Sequence, residues 1–155
     1  MSAAQWSLQP AREQIVLYFE DDDPTAYLFR MALEDAGLRI RLFRVTNGQE
    51  GLAFLRRQGV YKNAPTPDLV ILDLNLPKLS GFEVLASLHA SAVVERTPVV
   101  ILSSSNLSED KERASSFGAR AFFVKPNDWE GFRTSATTIA SMLPVVPATM
   151  PPDSE

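Results

Sequence analysis

Five short runs of apolar, β-branched or aromatic residues punctuate the chain: Ile15–Phe19, Ile40–Val45, Leu69–Leu72, Val99–Leu102 and Ala121–Val124. Each has the length of a strand and is bounded by turn or charge signals. A helical pattern follows every one. Asp23-Pro24 reads as the cap and first-turn pair of a helix running from Pro24 to Ala36 and stopping at Gly37. A second helix fits Gln49–Gln58 before Gly59, a third Gly81–Ala90, a fourth Glu109–Phe117 before Gly118, and a fifth Trp129–Leu143 before Pro144. The fifth puts Trp129, Phe132, Ala136, Ile139 and Leu143 on one stripe, as expected of a helix packed on a sheet.

Strands alternating with helices of this length predict right-handed βαβ units and a parallel sheet. Runs that are apolar throughout fit strands buried on both faces. Such sheets carry their sites beyond the carboxyl ends of the strands, where the winding reverses. The residues immediately after each run are therefore the candidates for chemistry.

Composition changes this picture mainly by exclusion. With 155 residues, 45% of them hydrophobic and 22% charged, the chain has room for one core and no second domain. A net charge of −4, with no Lys/Arg cluster longer than Arg56-Arg57, argues against a nucleic-acid partner. No cysteine and a single histidine leave no disulfide, no thiolate site and no His-based metal site. The start, MSAAQWSLQPAREQ, lacks a basic stretch followed by an apolar core, and no apolar run approaches a membrane span. A cytoplasmic protein with no membrane partner is expected. Residues 1–14 read as an N-terminal extension, 15–143 as the folded domain, and 144–155, with four prolines, as a flexible tail.

Glu20 and Asp21 follow the first run, Asp73 the third, Ser103 the fourth, and Lys125-Pro126 the fifth. Three carboxylates, a hydroxyl and an ammonium thus converge on one sheet edge. Two carboxylates about 4 Å apart repel by roughly 4 kcal/mol at an effective dielectric of 20, so three of them call for a cation or protons. Oxygen donors alone favour Mg²⁺ over zinc or copper, with Mn²⁺ an acceptable substitute. Lys125 alone could instead neutralise part of the charge as a plain ion-pair network. A carboxylate beside a hard cation and a lysine is suited to attacking a phosphoryl group, whose oxygens a hydroxyl could bind.

PDLVILDLNLPKLSGFEVL around Asp73, TPVVILSSS ending at Ser103 and GARAFFVKP ending at Lys125-Pro126 closely resemble the receiver domain of two-component response regulators. The resemblance covers Ile15 to Leu143. It implies a flavodoxin-like, doubly wound α/β fold: a five-stranded parallel sheet of order 2-1-3-4-5 with five helices. It also implies that Asp73 accepts a phosphoryl group from a sensor histidine kinase. Asp21 and Asp73 would bind Mg²⁺ directly, with the Asn75 backbone carbonyl as a further ligand and Glu20 acting through water. Lys125 would contact the phosphoryl oxygens, Ser103 would be the switch hydroxyl and Phe122 the aromatic switch. A cis peptide at Lys125-Pro126 is a further implication.

Such a protein is a phosphoacceptor that assists its own phosphorylation and dephosphorylation, rather than an enzyme with turnover. The alternative is a metal-dependent phosphatase or phosphotransferase with an aspartyl-phosphate; that class wants a second carboxylate two residues after the nucleophile, where this chain has Asn75. No output domain follows Leu143, so a stand-alone regulator is expected. The passages EDDDP, DLNLPK, SSSN and VKPNDWEGF are most similar to regulators paired with bacterial phytochromes. A homodimer is left open.

Within the acidic run, Asp23 reads as the cap of the first helix and Asp22 is left unplaced, an Asp21-Asp22 metal pair being the other register. Tyr27 and Met31 form an i,i+4 apolar pair one turn beyond the acidic mouth, suited to docking the kinase. His89 is expected to be a surface or helix-packing residue, Trp129 to be a packing residue at the start of its helix stripe, and Glu109–Arg113 to form a solvated helix face.

Overall fold

This computed structural model describes residues 13–37 and 39–143. Of the N-terminal extension expected at 1–14, only Glu13 and Gln14 are described, and Gln14 already belongs to the first strand; the tail 144–155 lies outside the described residues. The strands are β1 Gln14–Phe19, β2 Ile40–Val45, β3 Leu69–Leu72, β4 Val99–Ser103 and β5 Ala121–Val124. The helices are α1 Asp23–Asp35, α2 Gly48–Arg56, α3 Gly81–Ala90, α4 Val93–Arg96, α5 Ser108–Ser116 and α6 Trp129–Ala140, with one 3₁₀ turn at Gly59–Tyr61. All strand pairs are parallel, in the order β2-β1-β3-β4-β5. The expected α/β doubly wound sheet is therefore present.

Alternation along the strands divides the core in two. Leu17, Phe19, Val70, Leu72, Val99 and Ile101 face α2 and α3, meeting Leu52, Phe54, Val84, Leu85 and Leu88. Val16, Tyr18, Leu69, Ile71, Val100 and Leu102 face the other way, onto Ala26, Phe29 and Leu33 of α1 and Phe132, Ala136 and Ile139 of α6. α1, α2, α3 and α6 cover the sheet with apolar stripes at helical spacing. Both edge strands, β2 and β5, are only half-buried, and β2 accommodates Arg41 and Arg44.

Several expectations are corrected. Among the described residues there are six helices rather than five, because α3 ends at Ala90 and, after a left-handed Ala92, a single further turn, α4, brings Val93 and Val94 onto the core before Thr97-Pro98. Four residues are too few to display a helical period. The cap of α1 is Asp22, not Asp23: the extended Asp22 accepts from the Thr25 N–H at 2.9 Å, and its carbonyl takes the Ala26 N–H at 3.0 Å. Asp23 is then the first helical residue and Pro24 the second, where the missing N–H leaves no intrahelical bond unmade. α2 ends two residues early, at a left-handed Arg57, and α6 ends at Ala140. Trp129 sits at the first position of α6 with 38% of its surface exposed, so the buried stripe begins at Phe132. His89 packs edge-on against Phe117, their ring centroids 5.8 Å apart.

One glycine brings the site and the fold together. A Cβ on Gly81 would lie 2.2 Å from the Asp73 carbonyl oxygen and 2.4 Å from the Leu74 Cα. Only a residue without a side chain lets α3 start this close to the end of β3. Replacing Gly81 with Ala should lower stability by about 1–3 kcal/mol, as overpacking does. A urea titration followed by far-UV circular dichroism checks this; an unchanged midpoint would show that the backbone yields freely there.

Candidate functional site

β1 and β3 end at the same level and β4 and β5 two residues beyond it, on the side of the sheet where the chain reverses its winding between β1 and β3. Backbone bonds lock the exits in register: the Asp73 N–H donates to the Phe19 carbonyl at 3.2 Å, the Glu20 N–H to Val45 at 3.0 Å, and the Lys125 N–H to Ser103 at 2.8 Å. Glu20, Asp73, Ser103 and Lys125 are consequently delivered to one mouth. Oxygens of Glu20, Asp21 and Asp73 lie within 4.8 Å of one another.

Glu20 is fully buried, Asp73 is 2% exposed, and Asp21 opens to solvent. The Lys125 ammonium reaches Glu20 Oε1 and Asp73 Oδ2, both at 2.8 Å. Burial alone would lower the Lys125 pKa, but the hydrogen bonds and charges of Asp73 and Glu20 outweigh it and hold the ammonium above its ordinary value. Burial pushes the Glu20 carboxyl up, against the pull of Lys125 and of the Asp22 N–H that donates to it at 3.3 Å. Tyr18, fully buried, donates its hydroxyl to Glu20 Oε1 at 3.3 Å, and its pKa is raised by burial and by that neighbour. One ammonium faces three carboxylates, leaving two formal negative charges at the mouth. The donor set is all oxygen, one member is open to solvent, and the electrostatic excess is negative, so the residues fit a hard divalent cation.

Asn75 donates its N–H to Asp73 Oδ1 at 3.1 Å, which fixes the plane of the carboxylate whose other oxygen meets Lys125. Ser103 is buried at the end of β4, and its hydroxyl oxygen accepts from the Ser105 N–H at 3.4 Å. Phe122 is half-buried against the core on the α2–α3 face, with the Lys111 ammonium 6.0 Å from its ring centre. The Lys125-Pro126 peptide is trans, correcting the cis bond implied by the resemblance; trans is the favoured isomer, and from it Lys125 already spans both carboxylates.

Two participants escaped the sequence reading. In the sequence Tyr18 is one member of an apolar run and Arg44 one member of the run that forms β2. Arg44 donates from Nε to the Glu20 carbonyl at 2.8 Å and from Nη1 to Asp23 at 2.8 Å. Parallel register sets Tyr18 beside Arg44, so the available signal was a polar-tipped residue at matching depth in each of two neighbouring strands.

Known proteins share this sequence pattern and this fold. The response regulator receiver domain family matches residues 16–136. The response regulator Rcp1 of Synechocystis sp. is 37% identical over 97 residues, covering 63% of this chain and 66% of that protein's length. The structure of the phosphorylated cyanobacterial phytochrome response regulator RcpA superimposes with a TM-score of 0.79 at 30% identity, covering 85% of this chain and 94% of that one. The Mn²⁺-bound form of Rcp1 gives 0.78 at 31% identity, covering 89% and 99%. No helix among the described residues is long and apolar enough to cross a membrane.

The acidic mouth yields a direct expectation. A ligand that binds only the native state stabilises it by about 2.7 kcal/mol at 100 times its Kd. Mg²⁺ should therefore raise the melting temperature of chelator-treated protein. Asp21→Asn should melt no lower than the wild type without Mg²⁺, because Asp21 is exposed, supports no packing and is repelled by Glu20 and Asp73, and it should gain far less with Mg²⁺. Differential scanning calorimetry with and without Mg²⁺ checks both; an equal gain in the two proteins would remove Asp21 from the site.

Proposed function

Because the chain belongs to the response regulator receiver domain family, we propose that it accepts a phosphoryl group on Asp73 from a sensor histidine kinase of the bacterial phytochrome class. The observation that carries this reading is the buried Asp73 carboxylate, held by Lys125 and the Asn75 N–H beside two further carboxylates. The kinase class rests on the likeness to RcpA, described as a cyanobacterial phytochrome response regulator.

In the transfer, an Asp73 carboxylate oxygen attacks the phosphorus of a phosphohistidine. The O–P bond forms as the N–P bond breaks, and the imidazole leaves with the bonding electron pair, taking a proton from water. Asp21, Asp73 and the Asn75 carbonyl, with Glu20 acting through water, would hold a divalent cation, Mg²⁺ or Mn²⁺, which would supply positive charge against the phosphoryl oxygens. Lys125 supplies the remaining charge and moves its hydrogen bonds from the carboxylates to the incoming group. Ser103 is the hydroxyl drawn to that group. Its movement vacates space beside Phe122, and the turned ring changes the surface around α5 and β5. The output is this changed surface.

With Mg²⁺ and labelled acetyl phosphate, the wild type should take up at most one phosphoryl group per chain, and Asp73→Asn none. Equal labelling of the two, or sustained turnover of phosphomonoesters, would overturn the assignment of Asp73 as a stoichiometric acceptor.

Tyr27 and Met31, 63% and 40% exposed on α1, form the apolar contact for the kinase in this reading. Replacing both with Ala should slow phosphotransfer from the kinase while leaving labelling by acetyl phosphate unchanged. Stopped-time phosphotransfer gels separate the two rates, and a kinase rate equal to the wild type's would exclude the pair from docking.

A further inference from the structure

On the β2 side of the mouth, one guanidinium holds the loop that carries Asp21 from both sides. Arg44 Nε donates to the carbonyl of Glu20, and Nη1 pairs with the Asp23 carboxylate, each at 2.8 Å. Asp21 lies between these two points in the chain, and among the described residues its own carboxylate has no hydrogen bond or ion pair. Its direction is thus set by the backbone around it. The Glu20 N–H bond to Val45 and the Asp22 cap of α1 fix that backbone at its ends. Arg44 is the side chain that ties the intervening loop to the sheet edge.

An ordinary ion pair does not account for Arg44. Asp23 is 86% exposed, and a pair to so open a carboxylate holds little. The arm on the Glu20 carbonyl is half-buried, and the third nitrogen, Nη2, is buried without a partner among the described residues. An unpaired buried N–H lowers stability. The arrangement is better suited to fixing a geometry than to stabilising the fold, and Tyr18, its neighbour in the register, fixes the other end of Glu20 through its hydroxyl.

We propose that Arg44 is a positioning residue for the divalent-cation site: its two-armed hold on residues 20 and 23 presents the Asp21 carboxylate beside Glu20 and Asp73 before the cation arrives. This rests on the cation reading given above. The same side chain acts in two opposed ways. Its charge repels a cation, whereas its planar fork orients a ligand, and an ammonium at that position keeps the first effect but not the second.

Isothermal titration of the folded protein with Mg²⁺, together with the urea midpoint in chelator, separates these effects. Arg44→Lys should bind Mg²⁺ about 10-fold more weakly than wild type, the lower end of what loss of an orienting partner costs a metal site. Arg44→Gln should also bind more weakly, although it removes a repelling charge. Asp23→Asn, which frees one arm, should lose less than either. If Arg44→Lys matches the wild type while Arg44→Gln binds more tightly, Arg44 acts by charge alone and the proposal fails. Lower urea midpoints with unchanged Mg²⁺ affinity would make Arg44 merely structural, and the proposal fails equally. Absence of Mg²⁺ binding by the wild type would overturn the cation reading and this inference together, whereas wild-type binding that Arg44→Lys retains would overturn the inference alone.

Discussion

The mutual repulsion of Glu20, Asp21 and Asp73, restrained by the single ammonium of Lys125, is the constraint on which the rest of the molecule depends. Nothing in a hydrophobic core favours gathering three carboxylates at one point. They meet because β1 and β3 are adjacent, parallel and in register, so that both strands end at the same height and release an acid there. Lys125 arrives from β5, two strands beyond β3, and crosses the mouth to reach Glu20 and Asp73. The first and last strands in sequence are thus joined by charge at the place where charge is least balanced.

The helices on one face of the sheet are not equally committed to this site. α2 and α3 bury broad stripes, and Gly81 lets α3 begin against the carbonyl of Asp73 itself. α5 buries only Ala114. Its attachments are instead polar or aromatic: Arg113 stacks 4.1 Å from the Phe82 ring centre, Asp110 accepts from the Ser105 hydroxyl, and Lys111 reaches Asn106 at 3.3 Å. An element held by such contacts can be repositioned at modest cost, since little apolar surface must leave its place. On that face the firmly packed α3 supports Asp73, while the loosely held α5 adjoins Ser103 and Phe122.

The strands and the strand-end chemistry were legible because a buried parallel strand must be apolar along its whole length, and a polar residue immediately after it then stands out. Asp73 after LVIL and Lys125 after AFFV are plain in these terms. Arg44 and Tyr18 were not, because each lies inside a run whose other members are apolar, and only the pairing of two strands shows that their polar tips meet one loop. The α1 cap was misplaced by one residue for a local reason: Pro is tolerated at both of the first helical positions, so Asp-Pro does not by itself fix the start. The turn α4 was missed because one helical turn carries no period to detect.

The four consecutive acids from Glu20 to Asp23 end in four different settings: the buried pair with Lys125, the open mouth, the cap of α1 and the outer arm of Arg44. Side chains at a strand-to-helix junction turn through a new direction at each step, so identical chemistry is sorted by position alone. Such a junction behaves as a ruler. Exchanging one acid for another alters a single task, but adding or deleting one residue reassigns every task after it. Length, more than composition, is what this segment must keep as its sequence drifts.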